Sequence, residues 1–438
     1  MSCIRSPIAI IASEFSLARP CRDFRRIYFA LLLYTCVSTA LRNRKAALDR
    51  IGILGGGQLG MMLCEAARRL GVTVTVVTDD PTSSAVYLAD QSIVAPLDDL
   101  SAVARLVEAS DVVTFELEAI PDETLDLLEH AQAESKIEVH PGVNTLRLIK
   151  DKGLQKTWLQ DQVLPTLPFI LVDENVDEGA VLQSGFCAPL VQKTRRGGYD
   201  GKGVQMLLEP EVLSDLWPVA SVIEPALEGC LEVAVVVTRA ESGEISVYPP
   251  VTMMFDAKLN AVSTVISPGD LSETQSTECI EVATLAIQAL EAAGVFAVEL
   301  FISTSGEIFI NEISPRVHNS GHLTMEGFQC DQFEQHLRAI SGRPIAPTEA
   351  RAPVSVMLNL LYEDRLSPAH TGAPYTVRLQ EEGQVTVHWY GKKEARPGRK
   401  MGHVNALGNT REEALAHAHS GLERLQSDTF QPPEGEAI

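Results

Sequence analysis

Basic side chains are scarce in this chain: 36 Lys and Arg face 58 Asp and Glu across 438 residues, a formal charge of −22. Polyanion binding needs an extended basic face, so a nucleic-acid-binding role is excluded. Cysteine is sparse and unpatterned. Its eight copies form no C-x-x-C pair and none sits at zinc spacing from a histidine, which excludes a zinc ribbon or disulfide framework and fits a reducing compartment. Long apolar runs are missing too. The longest, "IYFALLLYTCVSTAL", is too short for a membrane span, so no stable membrane association is expected. There is no internal repeat, no low-complexity tract, and no G-K-[ST] leading into a helix as a Walker loop requires.

What is present is a globular balance of 45% hydrophobic and 21% charged residues, long enough for two to three packed units at about 150 residues each. Residues 1–48 differ in kind, with eight Arg or Lys against two acids, which leaves −28 on the rest. They read as a disordered leader or a non-native extension. Cytoplasmic residence is expected, with organelle import through residues 1–48 as the alternative.

From residue 50 the pattern becomes strand, glycine turn, helix, strand. "RIGILGGG", "QLGMMLCEAARRLG" and "VTVTVVTDD" open a βαβ unit that continues through "SDVVTFELE", predicting a parallel α/β domain over 49–147. A mixed α+β domain is expected over 148–345. In it "APLVQKT" and "GVQMLL" form a hairpin with a glycine-rich tip, and the helix "ECIEVATLAIQALEAAG" precedes a second hairpin. The Pro-rich stretch "SGRPIAPTEARAP" leads to a small strand-rich domain over 346–438 with a last helix at "REEALAHAHSGLERL".

"GGGQLG" fits G-x-G-x-x-G through Gly55, Gly57 and Gly60, with Asp79 19 residues on. Three readings are open: a dinucleotide site, a monophosphate at the helix N-terminus, or glycines that serve close packing alone. The second hairpin holds two acids. With a two-residue turn at Ser305-Gly306, Glu299 lies opposite Glu312, and two carboxylates that close need a cation between them. A hard divalent ion, Mg²⁺ or Mn²⁺, answers that need while holding substrate phosphates; a solvated hairpin is the other reading.

Two cationic segments suit an anionic substrate. "QKTRRGGYDGKG" sets Lys193, Arg195, Arg196 and Lys202 among four glycines, the make-up of a lid over polyphosphate. "YGKKEARPGRKMGH" places Lys392, Lys393, Arg396, Arg399 and Lys400 within nine residues, broken by Pro397 and Gly398 into a shaped phosphate loop. His318 and His322 in "HNSGH" are not read as a metal pair. His417 and His419 are read as exposed.

Together "GGGQLG", "VTFELEAIP", "KTRRGGYDGKG", "INEISPRVHNSGH" and "RPGRKMGH", in that order over about Arg50 to Leu425, resemble the N5-carboxyaminoimidazole ribonucleotide synthetase family. These are ATP-grasp ligases of purine biosynthesis. The resemblance implies an ATP-grasp fold behind a Rossmann-like pre-ATP-grasp domain. It also implies carboxylation of 5-aminoimidazole ribonucleotide by ATP and bicarbonate through carboxyphosphate, and a homodimer.

By the same likeness Lys152 and Lys193 contact ATP phosphates, under a loop formed by Gly198, Tyr199, Asp200, Gly201, Lys202, Gly203 and Val204. Glu224, Pro225, Ala226 and Leu227 make the adenine hinge, Glu232 holds the ribose, and Asn311 lies beside the nucleotide. Glu299 and Glu312 bind the metal. Gln58, Leu59, Glu116, Asn319, Lys392, Arg399 and Lys400 take the ribonucleotide, and the monophosphate reading of the glycine turn prevails. Arg316 and His318, with Lys193, are the catalytic candidates.

The chain departs from the family in reading "YPPVTMMF", with Thr252 and Phe255 where Glu and His are common, and "ELEA", with Ala119 where Asn is common. A formate-dependent glycinamide ribonucleotide transformylase, an NAD-dependent oxidoreductase and a non-catalytic nucleotide sensor are the rival readings.

Overall fold

The computed structural model describes residues 47–174, 178–198, 203–208, 215–256, 258–362, 373–379 and 384–427. The leader expected over 1–48, except Ala47 and Leu48, and the lid residues Tyr199, Asp200, Gly201 and Lys202 lie outside the described residues.

The first layer is the predicted βαβ run: β1 (Arg50–Leu54), α1 (Gln58–Leu70), β2 (Thr73–Thr78), β3 (Gln91–Val94), α2 (Leu100–Ala109), β4 (Val112–Phe115), α3 (Asp122–Ala133) and β5 (Glu138–Val139). All pairings are parallel, in the order β3-β2-β1-β4-β5. The central strands β1, β2 and β4 are buried beyond their first residue or throughout, as helices covering both faces require. Gly71 closes α1 in the left-handed conformation, φ 67°, its N–H returning to the last turn. The expected domain edge at 147 falls inside α4 (Val143–Ile149), and α5 (Lys152–Asp161) follows at once, capped by the Asp151 carboxylate on the Gly153 and Leu154 amides.

A four-stranded sheet comes next, built from β6 (Ile170–Val172), β7 (Leu190–Thr194), β8 (Val204–Leu207) and β9 (Ser221–Pro225) in the order β6-β9-β7-β8, with α6 (Glu178–Gln183) between β6 and β7. The predicted hairpin is β7 against β8, Lys193 facing Val204.

The large sheet has ten strands, all antiparallel: β10 (Leu231–Arg239), β11 (Ile245–Val247), β12 (Val251–Asp256), β13 (Ala261–Ser267), β14 (Gly294–Ile302), β15 (Ile308–Ser314), β16 (Val354–Leu361), β17 (Tyr375–Leu379), β18 (Val385–Trp389) and β19 (Lys400–Gly408). Its path is β15-β14-β10-β12-β13-β16-β19-β18-β17, with β11 beside β10. The Pro-rich stretch therefore does not interrupt it, since β16 pairs directly with β13 from Thr264↔Leu358 to Ser267↔Ser355.

Helix α7 (Glu273–Leu290) starts in a Ser272–Gln275 capping box. α8 (Thr324–Gly327), α9 (Gln332–Ile340) and α10 (Arg411–Gln426) complete the chain. One apolar cluster runs from Met62 and Leu63 of α1 through Phe333 and Leu337 of α9 to Met357 and Tyr390, so the first layer and the large sheet share a core. No helix among the described residues is long and apolar enough to cross a membrane.

Candidate active site

The β14–β15 hairpin places Glu299 directly opposite Glu312, as the alternation predicts, but by a different route. The turn spans Ser303–Glu307 rather than two residues, Ser303 N–H bonding the Glu307 carbonyl, so the register next to it is Ile302↔Ile308. An irregularity between Glu299 and Leu300 adds one residue at Asn311 and restores the acid pairing.

Cations crowd this pair. Lys152, first residue of α5, bonds the Glu312 carboxylate, and His318 Nε2 lies 3.2 Å from Glu299 Oε1. Burial, and then the neighbouring Glu312, push the Glu299 carboxyl up, whereas Lys152, with help from Lys193 and His318, holds Glu312 below the ordinary range despite its burial. One acid of the pair thus resists ionisation while the other is fully charged. A hard divalent cation fits: the donors are oxygens, and Mg²⁺ is commonly held by one or two carboxylates plus substrate phosphates rather than by a closed cage. Among the described residues no group of three or more His, Cys, Asp or Glu side chains converges as such a cage.

Behind the pair lies a cleft lined by Lys152, Gln155, Lys156, Lys193, Val222, Asn311 and Glu312. Lys193 donates to Asn311 Oδ1 at 2.7 Å and pairs with Glu224, whose other oxygen is 2.8 Å from Lys156 Nζ. Glu224 is 1% exposed. It is the next-to-last residue of β9, inside the expected hinge, where Ala226 N–H bonds the Pro189 carbonyl. Burial opposes its charge, but Lys193 and Lys156 more than offset this and lower its pKa. Lys156 was not anticipated. Its signal was the i, i+4 spacing from Lys152 on one face of α5. Glu232 sits on β10 opposite Phe301, its carboxyl raised by burial.

The lid cations differ from expectation. Arg195 grips Asp151 through Nε and Nη2, both at 2.9 Å, and Arg196 Nε reaches the same carboxylate at 3.3 Å. Both arginines brace the start of α5. Gly198, Gly203 and Val204 flank the tip, and Gly203, at φ +76°, has its Cβ position 2.4 Å from Thr194 Oγ1.

The glycine turn also needs a correction. Glu116 at the end of β4 accepts from Gly57 N–H and, at 2.7 Å, from Gly60 N–H, so the chain's own carboxylate covers the start of α1. A Cβ at Gly55 would lie 2.2 Å from Glu116 Cγ, and one at Gly57 would lie 2.9 Å from Oε1. These glycines admit Glu116, and a pyrophosphate in the dinucleotide position would meet its charge. Gln58 and Leu59 begin α1 beside it.

Electrostatics gathers the remaining candidates. Burial raises Glu116, opposed by Gly57, Gly60, Lys392 and Arg316, while Lys400 acts on Glu299. Arg316 Nε lies 2.8 Å from Glu118 Oε1, an unforeseen partner from "ELEA". His318 Nδ1 accepts from Ser320 N–H at 3.3 Å, which leaves a ring proton for Nε2 on the Glu299 side. Asn319 exchanges two amide bonds with Asn359, at 2.9 and 2.8 Å. Lys392 donates to the Lys400 carbonyl at 2.8 Å and Arg399 to that of Glu394 at 2.7 Å.

Outside this group, "HNSGH" is a single 3₁₀ turn with His322 buried. His417 is half-buried with Nδ1 2.9 Å from the Leu407 carbonyl, and only His419 is exposed as expected. Thr252 Oγ1 accepts from Asp270 N–H, while Phe255 and Ala119 are exposed.

Three family descriptions match consecutive parts of the chain: the ribonucleotide synthetase preATP-grasp domain over 48–150, the ATP-grasp domain over 157–333, and the phosphoribosylaminoimidazole carboxylase C-terminal domain over 355–417. An N5-carboxyaminoimidazole ribonucleotide synthase of Synechococcus elongatus is 34% identical over 82% of this chain and 89% of its own length. The chain belongs to the N5-carboxyaminoimidazole ribonucleotide synthase family.

Members of the N5-carboxyaminoimidazole ribonucleotide synthase family are ATP-dependent ligases, and the ATP-grasp fold with its preATP-grasp and C-terminal partners stands as the sequence implied. The Thermotoga maritima synthetase superposes with TM-score 0.74 at 38% identity, covering 86% of this chain and 98% of that one. The Aspergillus clavatus synthase in complex with ADP and 5-aminoimidazole ribonucleotide gives 0.74 at 29%, covering 86% and 99%. The chain spans only 64% of the chloroplastic phosphoribosylaminoimidazole carboxylase of Vigna aconitifolia, at 33% identity. These relatives set aside the formate-dependent and oxidoreductase alternatives.

Proposed function

We propose that this chain carboxylates 5-aminoimidazole ribonucleotide with bicarbonate, converting ATP to ADP and phosphate and releasing N5-carboxyaminoimidazole ribonucleotide for purine synthesis. The observation that supports it most is the facing Glu299–Glu312 pair with Lys152, Lys193 and His318 around it, because bicarbonate attack on a γ-phosphate brings two anions together and needs dense positive charge. Glu299 and Glu312 would hold Mg²⁺, or Mn²⁺ in its place, and the ion would supply charge neutralisation for the phosphates.

The chain's own groups do the rest. Lys152 and Lys193 exchange their carboxylate and amide partners for phosphate oxygens, and Pro225 to Leu227 border the adenine. Carboxyphosphate forms as bicarbonate takes the γ-phosphoryl group and the bridge to the β-phosphate breaks, and it needs shelter from water. Arg316 and His318 hold bicarbonate and then the intermediate. The exocyclic amine of the ribonucleotide attacks the carboxyl carbon and phosphate leaves. Lys392, Arg399 and Lys400 take the ribonucleotide phosphate. A cytoplasmic homodimer is the expected form, and the chloroplastic relative gives the organelle alternative its support.

ADP release, measured with bicarbonate and the ribonucleotide omitted in turn and repeated with Glu312→Ala, tests the reading. Turnover should need both co-substrates and vanish in the variant while its fold persists. Full activity without Glu312 refutes the metal assignment, and formate dependence refutes the reaction.

A further inference from the structure

The segment from Glu312 to His322 carries four candidate residues, Glu312, Arg316, His318 and Asn319, yet only its start is in a strand. Within its later part, both backbone groups of His318 are bonded by one side chain. Gln332, first residue of α9 and fully buried, presents Oε1 to the His318 N–H at 2.9 Å and donates from Nε2 to the His318 carbonyl at 2.7 Å. A single planar amide thus satisfies both backbone groups of one residue, as a neighbouring strand would. The same Nε2 lies 3.2 Å from His322 Nδ1, so the clamp spans the 3₁₀ turn that follows.

The fit is close. A Cβ at Gly321 would come within 2.4 Å of Gln332 Oε1, so the backbone passes against the amide with no room for a side chain. The amide is itself anchored, because Gln332 N–H bonds Thr324 Oγ1 at 3.0 Å and the residue opens a helix capped by Asp331. Asn or Leu here would reach or bond differently; only Gln has this length with a donor and an acceptor edge.

We infer that Gln332 is a positioning residue, whose clamp on the His318 backbone aims the imidazole between Ser320 and Glu299 for the carboxyphosphate step. This rests on the role given to His318 above. Nothing in Gln332 reaches the cleft, so its effect passes through His318, and partners of this kind typically change activity by about 10- to 100-fold.

The test is a double-mutant cycle in the intact chain, Gln332→Met against His318→Asn, reading kcat, the KM for ATP and the thermal midpoint. Gln332→Met keeps the length and removes both bonds. The expected result is a drop in kcat of at least about tenfold with KM for ATP within about twofold, and no further drop when Gln332→Met is added to His318→Asn.

If His318→Asn loses turnover while Gln332→Met keeps it, the clamp is refuted and the His318 role stands. Losses that multiply in the double variant also refute it, because Gln332 would then act elsewhere. Full turnover in His318→Asn overturns the His318 role and this inference with it. Should Gln332→Met not fold, Gln332→Glu carries the same cycle: it keeps the oxygen facing the His318 N–H, removes the donor edge, and is expected to lower kcat from the wild type with no further drop when added to His318→Asn; unchanged kcat or losses that multiply refute the clamp.

Discussion

Replacing Glu224 by Gln removes the one negative charge between two buried ammonium groups. In the native cleft Glu224 is 1% exposed and serves both Lys156, whose side chain is 4% exposed, and Lys193. After the change Lys193 keeps Asn311 and the open side of the cleft, and Lys156 keeps Thr166 Oγ1, at 2.9 Å, but the neutral amide leaves both without the carboxylate charge between them. Burial already lowers the Lys156 pKa even with Glu224 present. Stranding a buried charge in this way costs about 3–5 kcal/mol.

The cost has a ceiling, because Lys156 can release its proton. Holding an ammonium of pKa about 10.4 neutral at pH 7 costs roughly 4–5 kcal/mol, at about 1.4 kcal/mol per pH unit. With neutral Lys156 the unfolded chain binds one more proton than the folded one, so the variant recovers about 1.4 kcal/mol for each pH unit above neutral. Urea unfolding of wild type and Glu224→Gln near pH 7 and pH 9 should show the gap fall by roughly half. A loss under about 1 kcal/mol, or a gap that ignores pH, refutes the view that Glu224 compensates two buried lysines.

Gly55→Ala should cost roughly 2–5 kcal/mol in urea unfolding, since φ is +111° and the new methyl would collide with Glu116. Arg195→Lys should lower stability by about 1–3 kcal/mol through loss of the two-pronged Asp151 contact; a raised KM for ATP with unchanged stability would restore the lid reading. His388→Ala should lose about 3 kcal/mol by leaving the buried Glu326 carboxylate with its Asn405 hydrogen bond but without the ring partner that now stands at 3.0 Å. Burial disfavours the His388 cation, but Glu326 raises its pKa overall, so its contribution is full below about pH 6.5 and fades as pH climbs through the raised value. The wild type to His388→Ala gap should therefore be larger near pH 6 than near pH 9; Glu326, lowered by His388, adds an acid limb on which the pair weakens as pH falls.

Much of the architecture was legible because period and punctuation agreed. The apolar runs around "GGGQLG" and the Gly71 stop placed β1, α1 and β2. The facing acids were legible by alternation, although the longer turn and the extra residue at Asn311 are two offsetting shifts that alternation does not register. The glycine turn misled because its spacing is shared by any helix start that must admit an acceptor, and only the fold brings Glu116, 56 residues beyond Gly60, to fill it. Arg195 looked like a lid cation because charge composition says nothing of partners, and Asp151 lies 44 residues away in sequence. Gln332 gave no signal at all: a buried amide serving another residue's backbone has no spacing rule.

The pairing of β13 with β16 has a mechanical consequence. Because that ladder is unbroken, the Glu299–Glu312 hairpin and the strand that begins at Lys400 belong to one sheet, and they cannot swing apart like the halves of a clam without tearing interior hydrogen bonds. The β6-β9-β7-β8 sheet, which carries Lys193 and Glu224, lies outside that ladder, so a rearrangement that widens the cleft would cost fewer interior hydrogen bonds there than in the large sheet.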